Sequence, residues 1–151
     1  MSKWAGFGVV AWGPLANGLL TGRYFIDRDK RHISGEGRVT RAFNTGSVDS
    51  FRPHVQPTLN ALAEISQGLG RQQCQVAIAW LLANDAIASV AVGVSSKNQL
   101  CQNLASLEVT LPPDLLSKMN AISKEPVSYP YTFLEPDVQV LVHGASEKET
   151  S

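Results

Sequence analysis

Two short stretches of the chain are almost entirely apolar. Residues 7–12 read FGVVAW and residues 87–92 read IASVAV, and a glycine follows each stretch. Continuous apolar runs with β-branched residues, bounded by glycine or proline, predict strands that are buried on both faces of a parallel sheet. In such sheets, functional groups usually lie where a strand ends and its loop begins. The loop that opens at Gly13-Pro14 is therefore the first candidate for function.

Elsewhere, apolar residues recur every three or four positions, which predicts amphipathic helices. The first covers about 51–69 and the second about 73–84, where Trp80 is expected to pack in the core. A third helix follows Ser96, and a fourth opens at the sequence PPD, 112–114. The apolar side of the third helix is formed by a stripe of three leucines: Leu100, Leu104 and Leu107. Each apolar run is thus followed by helical sequence, which gives two strand-then-helix units.

The segment from Leu15 to Asp49 shows neither pattern, and it is predicted to be a long connection without regular structure. It contains glycines at 18, 22, 35, 37 and 46, and a mixed charge run, DRDKRH, at 27–32. Loops of this length are uncommon in compact domains and often serve as lids or binding loops. The charge run is either a solvated loop surface or a sign that Arg23, or an arginine near 38–41, reaches a bound phosphate.

Ser96 and Gln99 have the spacing of a capping box at the start of the third helix. A strand, a short turn and a capped helix bring free backbone N–H groups to the positive end of a helix dipole, which favours a bound anion. The alternative is an ordinary strand-to-helix connection in which the serine only caps the helix. The spacing by itself is compatible with both interpretations.

The length and composition of the chain indicate its number of domains and exclude several classes of partner, but they indicate no reaction. A length of 151 residues predicts one domain, and a hydrophobic content of 44% is too high for disorder. Thirteen basic residues balance thirteen acidic ones, so neither nucleic acid nor an anionic membrane is an expected partner. No segment reaches the length of a membrane span, and the N-terminal apolar stretch is interrupted too early for a signal peptide.

The cysteines and histidines are isolated from one another in the sequence. Cys74 and Cys101 lie in helical sequence, and they predict reduced, partly buried thiols of a cytoplasmic protein. A disulfide between them stays open on sequence grounds alone. The histidines have none of the spacings of a zinc site, so no metal is expected. They are His32, His54 and His143.

Three segments together resemble one enzyme family. AWGPLANGLLTGRY at 11–24 resembles the (A/Y)-x-S-P-L-A-x-G-x-L-T-G-K-Y loop that follows the seventh barrel strand of the aldo-keto reductases. QVAIAWLLAND at 75–85 is similar to that family's helix before the eighth strand, and VAVGVSSKNQLCQNL at 90–104 to its eighth strand and following helix. The order and the gaps agree. The resemblance covers about residues 5–125, which correspond only to the C-terminal half of the family's domain.

The resemblance implies a fold, a cofactor and a set of binding residues. The fold would be the C-terminal portion of a (β/α)8 TIM barrel, an α/β structure, which binds NADP(H) across the C-terminal ends of its strands. Residues 1–125 would form this part of the domain, and 126–151 an irregular tail with a disordered end.

The resemblance also implies which residues bind the cofactor. The nicotinamide and pyrophosphate region would be lined by Trp12, Gly13, Pro14 and Leu15. The pyrophosphate would be flanked by Gly22 and Arg23. The adenosine 2′-phosphate and ribose would be held by Gly93, Ser95 and Gln99, and the adenine edge by Gln102 and Asn103.

This sequence departs from the family pattern at several of these positions. Gly13 stands where a serine is common, Arg23 replaces the usual lysine, and Gln102 stands where glutamate is common. Gln99 is a neutral amide, as in a large part of the family, whereas other members have arginine at this position. Because an amide holds a phosphate less strongly than a guanidinium does, the preference for NADP over NAD is an expectation only.

The family's catalytic Asp, Tyr, Lys and His would all lie upstream of the residues in this chain. No catalytic residue is therefore assigned, and the chain alone is expected to be inactive. The resemblance implies that the parent enzyme reduces a small aldehyde or ketone with NADPH, or oxidises an alcohol in reverse. The alternatives are a nucleotide-binding regulatory module and a truncated, non-catalytic remnant. Two strands leave six to be supplied before a barrel closes, so either another segment completes it or the fragment is poorly stable alone.

Overall fold

The computed structural model describes residues 5–27, 29–30, 32–44, 52–124, 131–134 and 138. Its strands are β1 (Val9–Trp12), β2 (Phe25–Asp27), β3 (His32–Ser34) and β4 (Ile87–Ala91). Its α-helices are α1 (Arg38–Asn44), α2 (Val55–Gly68), α3 (Gln73–Leu82), α4 (Lys97–Leu104) and α5 (Pro113–Ile122). Three 3₁₀ helices cover Ala16–Thr21, Ala105–Glu108 and Tyr131–Leu134.

The two predicted strands form and pair with each other. β1 and β4 lie side by side in parallel, with Val10 opposite Ser89 and Trp12 opposite Ala91. The mixed α/β architecture of the described residues is that of a partial barrel, without closure. The prediction that both strands are buried is wrong for this structure. In β1, Val10 is 65% exposed and Trp12 is 88% exposed, and no residue of β4 is buried. Each strand of a closed barrel is paired on both sides, whereas among the described residues β1 and β4 pair only with each other.

The main core lies between the three longest helices. α2, α3 and α5 enclose a cluster formed by Ala61, Leu62, Ile65, Val76, Ala77 and Met119. The predicted limits of α2 and α3 agree with the structure to within a few residues, because each has a long apolar stripe. Pro57 lies in the first turn of α2, where its missing N–H removes no helix hydrogen bond. Trp80 is partly buried against this cluster, and its Nε1–H donates to Asn120 Oδ1 at 2.7 Å.

The segment 15–49, predicted to lack regular structure, contains ordered elements with a small core of their own. β2 and β3 pair as an antiparallel hairpin, and α1 follows it. Four side chains from these elements and the preceding 3₁₀ helix form a second cluster: Leu19, Ile26, Ile33 and Val39. Val55 and Leu59 of α2 pack against it. The prediction of a structureless connection was therefore wrong, although the segment does lie beside the candidate site.

The predicted stripe of the third helix is not packed among the described residues. Leu100, Leu104 and Leu107 are all exposed, because no described element covers that side of α4 and of the 3₁₀ helix after it. α5 begins at Pro113 as predicted, and its Met119 is buried. Most of the predicted tail, 126–151, lies outside the described residues.

Candidate cofactor cleft

A cleft of about 570 Å³ opens at the carboxyl ends of β1 and β4. Because the two strands are parallel, the loops that follow them lie at the same edge of the sheet. The cleft brings together all eleven residues that the sequence predicted to bind a cofactor: Trp12, Gly13, Pro14, Leu15, Gly22, Arg23, Gly93, Ser95, Gln99, Gln102 and Asn103. These residues come from segments about 80 positions apart in the chain. Their convergence is a property of the fold and not of local sequence.

The first wall of the cleft is the loop after β1. The amide of Ala16 donates to Gly13 O at 3.0 Å, and the amide of Gly18 donates to Leu15 O at 2.8 Å. Two residues without the freedom of glycine, Ala16 and Asn17, have positive φ angles of 47° and 58°. Such backbone is uncommon for alanine and often occurs at binding sites. The loop is thus a tight, hydrogen-bonded turn that presents its backbone to the cleft.

Three arginines give the cleft a positive charge. Arg23, Arg38 and Arg41 all line it, and its lining includes no aspartate or glutamate among the residues described. The Nε–H of Arg23 donates to Thr21 Oγ1 at 3.0 Å, which orients the guanidinium. This local charge stands out in a chain whose net charge is zero. Arginine presents several donors in one plane, which suits it to phosphate oxygens.

The second wall is the turn between β4 and α4. Ser96 Oγ accepts from the amide of Gln99 at 3.3 Å, so the serine caps α4 as predicted. The other half of the predicted capping box is different, because Gln99 Oε1 accepts from the amide of Ser95 at 2.9 Å and from Ser95 Oγ at 3.0 Å. These bonds occupy the oxygen of the Gln99 amide and leave its NH₂ group as a donor. Gln102 and Asn103 follow one turn later, and Asn103 is buried.

Several residues that line the cleft are not among those predicted from the sequence, although an arginine near 38–41 was one alternative for contact with a phosphate. Tyr24, Arg38 and Arg41 come from the segment with unpredicted structure, and Gln72 and Cys74 come from the start of α3. Long-range packing places them, since α1 and the start of α3 both lie beside the first wall. The only local signal was the enrichment of arginine in a glycine-rich segment.

Cys74 is the one cysteine in the lining, and it is buried and unpaired. Burial raises the pKa of its thiol, an effect that backbone N–H groups and Arg23 partly oppose. Its Sγ–H donates to Gln72 Oε1 at 3.7 Å. Cys101 is also unpaired, but it is exposed, so the prediction of two partly buried thiols is wrong for that residue.

The described part of the chain shows neither a metal-binding cluster nor a membrane-spanning helix. Within it, no group of three or more histidine, cysteine, aspartate or glutamate residues is arranged to hold a metal ion. No helix there has both the length and the apolar content required to cross a membrane. His32 and His54 fall within this part, whereas His143 lies outside it.

Comparison with known proteins gives a consistent result. A model of the Aldo/keto reductase family matches residues 1–124. A probable voltage-gated potassium channel subunit beta of Oryza sativa subsp. japonica is 34% identical over 122 residues, covering 78% of this chain and 35% of that protein. L-glyceraldehyde 3-phosphate reductase of Escherichia coli (strain K12) is 36% identical over 104 residues, covering 68% of this chain and 29% of the enzyme. An uncharacterized oxidoreductase of Bacillus subtilis (strain 168) is 31% identical over 121 residues, covering 80% and 33%. The chain spans about a third of the length of these relatives.

Proposed function

Because this chain belongs to the aldo/keto reductase family, we propose that it forms the NADP(H)-binding part of an oxidoreductase that reduces an aldehyde or ketone. The observation that carries the proposal is the cleft itself: the eleven residues named from sequence, which include Arg23, line one cavity together with Arg38 and Arg41, and no described carboxylate lines it. The Escherichia coli relative, whose name describes a reductase of a phosphorylated aldehyde, supports the same class of reaction.

The donor set of the cleft fits a dinucleotide phosphate. Trp12, Gly13, Pro14 and Leu15 would hold the nicotinamide end, and Gly22 with Arg23 would hold the pyrophosphate. At the other wall, Ser95 with Gly93 and Gln99 would hold the 2′-phosphate and ribose. The amides of Gln102 and Asn103 would meet the adenine. When bound, the nicotinamide supplies a hydride for carbonyl reduction. The residues of this chain would bind and orient the cofactor, and none is assigned to proton transfer.

The structure indicates that Arg38 also belongs among the proposed cofactor-binding residues. It lines the cleft and is exposed, so its guanidinium has room to reach a phosphate oxygen. A charge-assisted hydrogen bond from arginine to phosphate is stronger than one from a neutral donor. We therefore add Arg38 to Arg23 as a phosphate-binding cation.

The barrel would be completed by polypeptide outside this sequence. β1 and β4 correspond to the seventh and eighth strands of the family's barrel, and an eight-stranded barrel needs six others. The exposed strands and leucines of this structure support that idea, because they would be covered in a closed barrel. The substrate would be a small carbonyl compound, held largely by loops of the other units. The two unpaired thiols are compatible with a cytoplasmic protein.

A second candidate is a nucleotide-binding regulatory module. The rice relative is named as a potassium channel subunit, and no catalytic residue is assigned in this chain. Both candidates require that the cleft bind the nucleotide, and they differ only in whether a hydride is transferred. A third outcome, a remnant that neither folds cooperatively nor binds nucleotide, would contradict both.

Fluorescence titration of NADPH with the full chain tests the proposal. We expect saturable binding, and we expect Arg23→Gln to weaken it about tenfold because a charged hydrogen-bond donor is lost. Arg71→Gln is the matched control: Arg71 pairs with Glu108 at 3.7 Å, is not in the cleft lining, and should leave binding unchanged.

A parallel titration with NADH, which lacks the 2′-phosphate, measures the contribution of that phosphate to binding. Ser95→Ala should weaken NADPH more than NADH, whereas Ser89→Ala, an exposed position in β4, should affect neither. If wild-type chain leaves the fluorescence of NADPH unchanged at every concentration tested, the proposed function is wrong.

A further inference from the structure

We infer that Tyr24 is a positioning residue whose hydroxyl holds Arg38 at the cleft. The inference rests on the proposed function, since the ligand on which Arg38 acts is the cofactor. Tyr24 lines the cleft immediately after Arg23 in the sequence, and its hydroxyl contacts the start of α1, the helix that begins with Arg38. One side chain therefore lies next to Arg23 in the sequence and contacts the helix that carries Arg38.

The contact is a hydrogen bond from the Val39 amide to Tyr24 Oη, at 3.3 Å. Val39 is the second residue of α1, and its residue exposure is 0%, so its amide is shielded from water. An amide at the start of a helix has no partner within the helix and needs one from elsewhere. The tyrosine hydroxyl is that partner, and it fixes the backbone next to Arg38.

The neighbouring glycines allow the tyrosine to lie so close. A Cβ atom at Gly37 would overlap Tyr24 Oη, and one at Gly35 would lie 3.1 Å from Tyr24 Cδ1 and 2.6 Å from Arg23 O. Both glycines also have positive φ angles, 112° at Gly35 and 152° at Gly37. The ring of Tyr24 thus occupies space that any other residue at Gly37 would fill.

α1 needs such an anchor because it is short. It has seven residues, fewer than an isolated helix requires for stability in water. Val39 attaches one side of it to the second cluster, and the Tyr24 hydroxyl attaches its first turn. Arg41, one turn on, donates its Nε–H to Gly37 O at 3.4 Å, which ties it to the same turn. Without the hydroxyl, the first turn would loosen and Arg38 would lose its direction toward the cleft.

The test is a double-mutant cycle on NADPH binding by the full chain. Tyr24→Phe keeps the ring and removes the hydrogen-bond acceptor, and we expect it to weaken NADPH binding about two- to tenfold. In the Arg38→Gln background, Tyr24→Phe should cause no further loss, because the residue acts through Arg38. An equal loss in both backgrounds would overturn the inference. Lys30→Gln, an exposed charge on the same hairpin, is the control and should leave binding unchanged.

Amide hydrogen exchange in the absence of cofactor provides a second readout. We expect Tyr24→Phe to speed exchange at Val39 while α2 and α3 keep their protection, and unchanged exchange at Val39 would overturn the inference. If Tyr24→Phe fails to fold, Gly37→Ala displaces the same ring and should show the same dependence on Arg38. Absence of NADPH binding by the wild type would overturn the proposed function, whereas hydrogen exchange would still decide whether Tyr24 anchors α1.

Discussion

Cys74 and Cys101 differ in environment more than their positions in the sequence indicate. Both lie on helical segments, yet Cys74 is 6% exposed at the cleft and Cys101 faces solvent. Helical periodicity places a residue on a face, but which face is covered depends on the neighbouring elements. α3, which carries Cys74, packs against the 3₁₀ helix of the loop after β1, whereas among the described residues the side of α4 that carries Cys101 is exposed.

This difference predicts unequal reactivity toward iodoacetamide. The thiolate is the reactive form, and burial both shields Cys74 and raises the pKa of its thiol. We expect Cys101 to be alkylated at least about tenfold faster than Cys74 near neutral pH. Mass spectrometry of tryptic peptides distinguishes them, because Lys97 separates the two cysteines.

The raised pKa of the Cys74 thiol also predicts how stability and the alkylation of Cys74 change with pH. Above the ordinary thiol pKa of about 8.5, the unfolded chain loses this proton before the folded chain does, so ionisation of Cys74 lowers stability as pH rises through that range. Alkylation of Cys74 should therefore remain slow until the pH is clearly alkaline. Equal rates for the two thiols in the native protein would contradict the burial of Cys74.

At the scale of elements, the long helices could be predicted from sequence and the short elements could not. α2 and α3 carry apolar stripes over several turns, so their limits were predicted to within a few residues. β2 and β3 have three residues each, too few for an alternating pattern to appear. Their core residues are separated by charged and glycine-rich sequence, and only tertiary packing brings Ile26, Ile33 and Val39 together.

The second cluster is expected to behave as a local stability unit. Ile33 is 2% exposed at its centre, and Ile33→Ala should remove about 2–5 kcal/mol of packing. Because this cluster supports the segment that carries Tyr24 and Arg38, hydrogen exchange should rise across residues 24–41. Protection in α3 should change little. NADPH binding should weaken in parallel.

Leu62→Ala is the matched comparison in the main cluster. Leu62 is fully buried between α2, α3 and α5, so its truncation should lower the thermal midpoint and raise exchange in all three helices. A uniform rise in exchange for Ile33→Ala, resembling that of Leu62→Ala, would show that the two clusters unfold as one unit.

At the scale of the whole molecule, the structure brings the predicted site residues together at one cleft but does not bury the strands that support it, and cofactor binding at the cleft stays a prediction. The cleft depends on two adjacent parallel strands and the turns after them, and all of these lie within the chain. The burial of the strands depends on neighbours, and an apolar run such as 7–12 carries no information about whether those neighbours are present. The prediction of buried strands therefore describes a closed barrel better than it describes this structure.

The exposed apolar surface predicts self-association of the chain on its own. Val10 and Leu107 are 65% and 71% exposed, and they belong to a set of exposed large apolar side chains on β1, on the turn after β4, and on α4 with the 3₁₀ helix that follows it. Exposed apolar patches and open strand edges favour association, and a net charge of zero provides no repulsion to oppose it. Light scattering at increasing concentration should show the apparent mass rising above that of the monomer.

Charge placed on this surface should reverse the association. We expect Val10→Lys combined with Leu107→Lys to bring the apparent mass down toward the monomer value of 16.3 kDa, since lysine on a strand edge opposes pairing. Gln67→Lys combined with Ala121→Lys adds the same charge at exposed positions on α2 and α5 without removing apolar surface. If the control pair disperses the protein equally well, net charge and not the uncovered sheet governs association. If the wild type remains monomeric at every concentration, the exposed strands do not drive self-association.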